Sequence, residues 1–168
     1  MTISERELED LIYQDLVENR GESIFNRGLY ISMCKIWERQ LNLGPYGIAD
    51  IVGFDRFHGG IDIQLIELKV VPIDAGCFDQ ILRYKTAIEE YLDNTLKGKF
   101  DYRFVLHLVG PSMSSGHYIH NSIENCIVTE YDIDLNGIRF RGHRGNWHKP
   151  TDQILSFKKS LHNGQAVY

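Results

Sequence analysis

The stretch that most constrains the fold is "GIADIVGFDRFHGGIDIQLIELKVV", residues 47–71. It contains two runs rich in β-branched residues, 48–55 and 61–71, joined at "FHGG", and reads as a β-hairpin. The turn of a hairpin sets its register. With the turn centred near residues 58–59, Asp50 faces residues 66–68 across the pairing. Glu67 and Lys69 are two apart and leave the same face of their strand. Two carboxylates and an ammonium therefore converge where the flanking apolar residues imply burial. Asp62 stays outside this group, because it pairs near residues 54–55 and lies an odd step from Glu67.

Charges are disfavoured at such strand positions. A structural salt bridge on a half-exposed sheet face would account for them, but burial makes imperfectly paired ions costly. Two adjacent carboxylates also repel unless something positive lies between them. A Mg²⁺ or Mn²⁺ ion, hard and oxygen-seeking, resolves that repulsion. Asp50 and Glu67 would be its ligands, with the backbone carbonyl of Leu68 as a third. Such an ion polarises a phosphodiester and acidifies a water, while Lys69 orients that water or stabilises the developing charge.

The flanking segments supply helices. Phe78, Ile81, Leu82, Ile88 and Leu92 recur at helical spacing, with Asp74 as the cap. On that helix Gln80 and Tyr84 are four apart and share a face. Ser4 and Glu7 form a capping box for a first helix reaching about residue 19 and ending at Gly21, with Leu8, Leu11, Ile12 and Leu16 on one side. Glu5 and Glu9 flank that stripe as possible further carboxylates, and helical-wheel arithmetic puts Glu5 nearer its centre. "SIFNRGLYIS" and "CKIWERQLNL" read as a strand pair or a loop and strand. "FDYRFVLHLVG" is a buried strand ending at Gly110 and Pro111. "NCIVTEYDI" and "GIRFRG" form a second hairpin about Asn136-Gly137, and "TDQILSFKKSLH" is a short terminal helix. This order predicts an α/β (α+β) fold, a mixed sheet flanked by helices. The 168 residues show no repeat or linker and fit a single domain spanning 1–168. Its motif-bearing core is 4–110, with a late hairpin and tail over 111–168.

The set "GIAD(50)…IE(67)LK(69)…Q(80)ILRY(84)" resembles the PD-(D/E)XK nucleases with the restriction-endonuclease-like fold. Within them it looks most like the RecB-type branch, with its Gln-x-x-x-Tyr helix motif, and the NucS-like endonucleases. The resemblance covers residues 4–92. It implies that Asp50 and Glu67 bind metal, Lys69 is catalytic, and Gln80 and Tyr84 support the site. Glu5 matches the acid that the family carries on its first helix. The chain departs from the pattern before Asp50, where "GIA" replaces the Pro of the family name.

Other chemistries fit less well. The three cysteines, Cys34, Cys77 and Cys126, form no CxxC pair or disulfide framework and read as free thiols. His117 and His120, with His143 and His148, match no zinc spacing, and the framework for an HNH site on His143, Asn146 and His148 is missing. No Walker loop, dinucleotide glycine motif or GxSxG is present. The net charge of −5 argues against general nucleic-acid stickiness. The run 139–149 is nonetheless basic, and Arg141, Arg144, Trp147 and Lys149 would suit a phosphate-tracking surface with an aromatic for stacking. No stretch approaches the roughly 20 apolar residues of a membrane span. The acidic, amphipathic N-terminus is unlike a targeting signal, so a cytoplasmic protein is expected.

The sequence thus predicts a Mg²⁺- or Mn²⁺-dependent nuclease acting on DNA, alone, as a homodimer or within a larger repair or defence complex. A catalytically inactive DNA- or protein-binding subunit on the same fold, and an RNA-directed nuclease, are the alternatives.

Overall fold

Alternate residues of one strand decide where the helices lie. Ile61, Ile63 and Leu65 join a core that includes Phe78, Ile81 and Ile88, whereas Ile66 and Leu68 join a second core with Leu8, Ile12 and Leu16. The strand is buried on both faces, so a helix must cover each. The computed structural model describes residues 2–98, 100–114 and 123–143. The terminal helix expected over "TDQILSFKKSLH" lies outside these residues.

The described elements are α1 (Glu5–Glu18), α2 (Glu22–Asn26), β1 (Ile36–Asn42), β2 (Ile48–Phe57), β3 (Gly60–Leu68), α3 (Ala75–Leu96), β4 (Asp101–Gly110), β5 (Cys126–Asp134) and β6 (Gly137–Gly142). A 3₁₀ turn, Gly44–Tyr46, joins β1 to β2. The six strands form one sheet in the order β1-β2-β3-β4-β5-β6. β3 runs parallel to β4 across the α3 crossover, β4 runs parallel to β5, and the other pairs are antiparallel. The expected mixed sheet flanked by helices is the observed architecture. Each large aliphatic side chain it buries contributes about 1.5–3 kcal/mol.

Both helix caps read from sequence are present. Ser4 and Glu7 exchange the reciprocal bonds of a capping box, and Asp74 accepts the Cys77 amide at 3.2 Å. The first hairpin closes with Phe57 opposite Gly60, leaving His58 and Gly59 as a two-residue loop in which Gly59 takes φ +81°.

Three boundaries differ from expectation. β3 stops at Leu68, not at 71, because its antiparallel neighbour has already left the ladder and Pro72 has no amide to donate. The late hairpin pairs Asp134 with Gly137, so its loop is Leu135–Asn136, one residue earlier than the Asn136-Gly137 centre. "SIFN" is helical, not extended. There the Asp15 carboxylate accepts the amides of Ser23 and Ile24, the latter at 2.9 Å, and caps α2 from the preceding helix.

One polar pair is buried within the sheet. His107 Nε2 lies 2.8 Å from Gln64 Oε1, and burial pulls the imidazole down to about 4. Among the described residues no helix is long and apolar enough to cross a membrane.

Candidate active site

The site forms where β2 and β3 separate. Their last paired residues are Ile51 and Ile66, so Asp50 and Glu67 occupy the next rung. There the amide of Leu68 donates to Asp50 Oδ2 at 2.8 Å. A side-chain carboxylate thus satisfies a buried backbone donor that the ladder no longer serves. Side-chain alternation slips at the same point: Ala49 and Val52 both face the α3 core, while Ile51 faces the α1 core.

Glu67 is 2 % exposed and Asp50 6 %. Lys69 Nζ stands 3.4 Å from Glu67 Oε1. Asp50, Glu67 and Lys69 are therefore brought together as the hairpin register predicts. Asp62 is kept apart, pairing with Asp55 across the hairpin and with Arg103 by an ion pair.

The electrostatics follow from burial. Desolvation, opposed by the Leu68 amide, raises Asp50 to about 6. Desolvation and then the Asp50 charge raise Glu67 to about 8. For Lys69, burial disfavours the ammonium, but Glu67 and Asp50 together outweigh it and the net shift is upward. The site is thus short of positive charge, and Lys69 alone does not neutralise it.

Two features fit a divalent cation. Glu67 Oε2 is fully buried and has no hydrogen-bond partner among the described residues, which is costly for a carboxylate oxygen. Among the described residues, Asp50 Oδ1 receives only a 3.5 Å contact, from Gln40. No group of three or more His, Cys, Asp and Glu side chains among the described residues is arranged to hold a metal ion. An ion here would rest on two carboxylates, with backbone and water oxygens completing its shell. That is how Mg²⁺ is commonly held.

The neighbouring residues divide. Gln80 Nε2 donates to the Tyr84 hydroxyl at 2.9 Å, so the two form a unit. Tyr84 is buried against Gly47, where a Cβ would come within 2.9 Å of its hydroxyl oxygen. The pair therefore braces the start of β2, three residues before Asp50. Glu5 is exposed, although its charge still acts on Asp50 and Lys69. Glu9, one helical turn later, is buried where Glu5 is not, contrary to the helical-wheel placement of Glu5 nearer the centre of the stripe. Its carboxylate receives Arg39 Nε and Gln40 Nε2, each at 2.5 Å. Arg39 also pairs with Asp10 and lies over the Tyr13 ring.

Arg39 and Gln40 are residues that sequence reasoning missed. "ERQ" within an ordinary edge strand carries no signal that its side chains turn toward a helix acid. In the basic run, Arg141 bonds Glu130 at 2.9 Å, and His143 Nδ1 lies 2.5 Å from the other Glu130 oxygen. Arg144, Trp147 and Lys149 lie outside the described residues, as do His117, His120 and His148. A 560 Å³ cleft elsewhere is lined by residues including Tyr13, Arg20, Cys34 and Trp37, and by none of Asp50, Glu67 and Lys69.

No protein-family model matches the chain, and no curated protein matches it. Two solved structures are similar to it. A repair endonuclease from Pyrococcus abyssi is 23% identical, with 76% of this chain and 46% of that chain covered and a TM-score of 0.44. An EndoMS-dsDNA2 complex is 25% identical, with 69% and 39% covered and a TM-score of 0.41. This chain spans less than half the length of either.

Proposed function

We propose that the protein is a divalent-metal-dependent nuclease that hydrolyses DNA phosphodiester bonds. One observation carries the reading: two buried carboxylates share a rung of the sheet, one has an oxygen without a partner among the described residues, and an ammonium stands 3.4 Å away. Asp50 and Glu67, with the Leu68 carbonyl, would hold Mg²⁺ or Mn²⁺. The ion would supply charge neutralisation at the scissile phosphate and acidify a water.

The chain's own groups perform the rest. Lys69 is kept in its charged form by Glu67 and Asp50, which makes it a hydrogen-bond donor. It orients the attacking water or a phosphate oxygen and stabilises charge that develops there. The Leu68 amide fixes one Asp50 oxygen, and the other, beside Gln40, would face the cation. Gln80 acts through Tyr84, holding the strand that carries Asp50 in place. Glu5, at the exposed end of α1, adds negative potential that favours a cation. Arg144, Trp147 and Lys149 would contact the DNA backbone and bases.

Purified protein offered linear, circular, single-stranded and branched DNA, and RNA, with Mg²⁺, Mn²⁺ or EDTA, tests the reading. Cutting of DNA in either metal and none in EDTA is expected. RNA cleavage alone would reassign the substrate. Binding without cutting in every lane would make the chain a non-catalytic binding subunit.

A further inference from the structure

The β1–β2 ladder is regular on both sides of one missing rung. Its register steps from Arg39 opposite Ile51 to Leu41 opposite Ala49. Gln40, which falls opposite Asp50, has φ +52°. A left-handed conformation costs a residue with a side chain about 1–2 kcal/mol, and persists only where the surroundings enforce it.

The consequence is geometric. Neighbouring side chains on a regular strand point to opposite faces. Here Arg39 and Gln40 reach the same Glu9 carboxylate. The Gln40 amide nitrogen also lies 3.5 Å from Asp50 Oδ1. One neutral amide therefore spans a carboxylate of α1 and a candidate metal ligand. A lysine or arginine there would neutralise Asp50 and compete with a cation, whereas an amide orients it and leaves its charge intact.

We infer that Gln40 is a positioning residue: bridged to Glu9, itself anchored by Arg39, it sets the orientation in which Asp50 receives a divalent cation. The inference rests on the proposed metal site.

The test is Mn²⁺ binding by the full chain, measured by calorimetry beside the melting temperature in EDTA. Gln40→Gly removes the amide and suits the left-handed backbone, while Gln40→Met keeps the length and the strain but cannot donate. Both variants are expected to bind Mn²⁺ at least 10-fold more weakly, the range typical of partners that orient metal ligands. Wild-type Mn²⁺ affinity in both variants, whatever their melting temperatures, would overturn the role while leaving the metal site standing. A wild-type protein that binds no Mn²⁺ would overturn the metal site and this role together.

Discussion

The Asp50 carboxylate accepts the Leu68 amide at 2.8 Å, in the position a β2 carbonyl would take if the hairpin ladder ran one rung further. One oxygen of this acid is thus structural, and the other is open to function. Asp50→Ala should lower stability by about 1–3 kcal/mol, since it leaves a buried amide unserved. Asp50→Asn keeps an acceptor and should stay within about 1 kcal/mol of wild type, yet lose Mn²⁺ binding as completely as alanine. Urea melts and Mn²⁺ titrations of both variants separate the two roles.

Glu67 gives a pH-dependent prediction for the metal-free protein. Its folded value is raised to about 8 from an ordinary 4.5. Between these values the folded chain keeps a proton that the unfolded chain has released, so stability falls as pH rises through that window. Glu67→Gln removes the penalty. In EDTA it should melt higher than wild type at pH 8 and at the same temperature as wild type at pH 4. Added Mn²⁺ should raise the wild-type melting temperature at pH 8 and leave that of Glu67→Gln unchanged.

The central part of this site was legible because it depends on local rules. Alternation and the His58-Gly59 turn fix the hairpin register, and the register puts Asp50 on the Glu67 rung. Ser4 and Asp74 mark their helices through bonds spanning only three residues. What the sequence hides depends on side-chain contacts between different elements. Asp15 caps α2 from within α1, Arg39 and Gln40 turn to Glu9 thirty residues or so away, and Glu130 occupies Arg141 across a strand pair. The left-handed Gln40 is hidden for the same reason: the contacts that enforce it lie on α1 and β2, and glutamine has no local preference for that conformation.

Arg141 illustrates the difference between a charge and an available charge. Its guanidinium is paired with the buried Glu130. Arg141→Ala should reduce stability by about 1–3 kcal/mol by leaving that carboxylate short of a donor. With that charge already paired, the slope of DNA affinity against salt is expected to match wild type. A slope flattened by about one charge would assign Arg141 to the DNA after all.

His107 shapes the acid limb of stability. The folded imidazole is held down to about 4, whereas in the unfolded chain it titrates near its ordinary 6.5. The unfolded state therefore takes up the proton first, and this residue destabilises the fold progressively as pH falls from 6.5 to 4. A His107→Gln variant should show a shallower loss of melting temperature across that window than wild type. Parallel curves would show that the histidine does not titrate on unfolding.

The most direct measurement is cleavage of duplex DNA in Mn²⁺ by wild type, Glu67→Ala and Lys69→Ala, each checked for folding by its melt and each repeated in EDTA. Metal-dependent cutting by wild type, reduced at least 100-fold in both variants, is the predicted result. Cutting that persists in folded Glu67→Ala and Lys69→Ala would contradict the assignment of the reaction to this site.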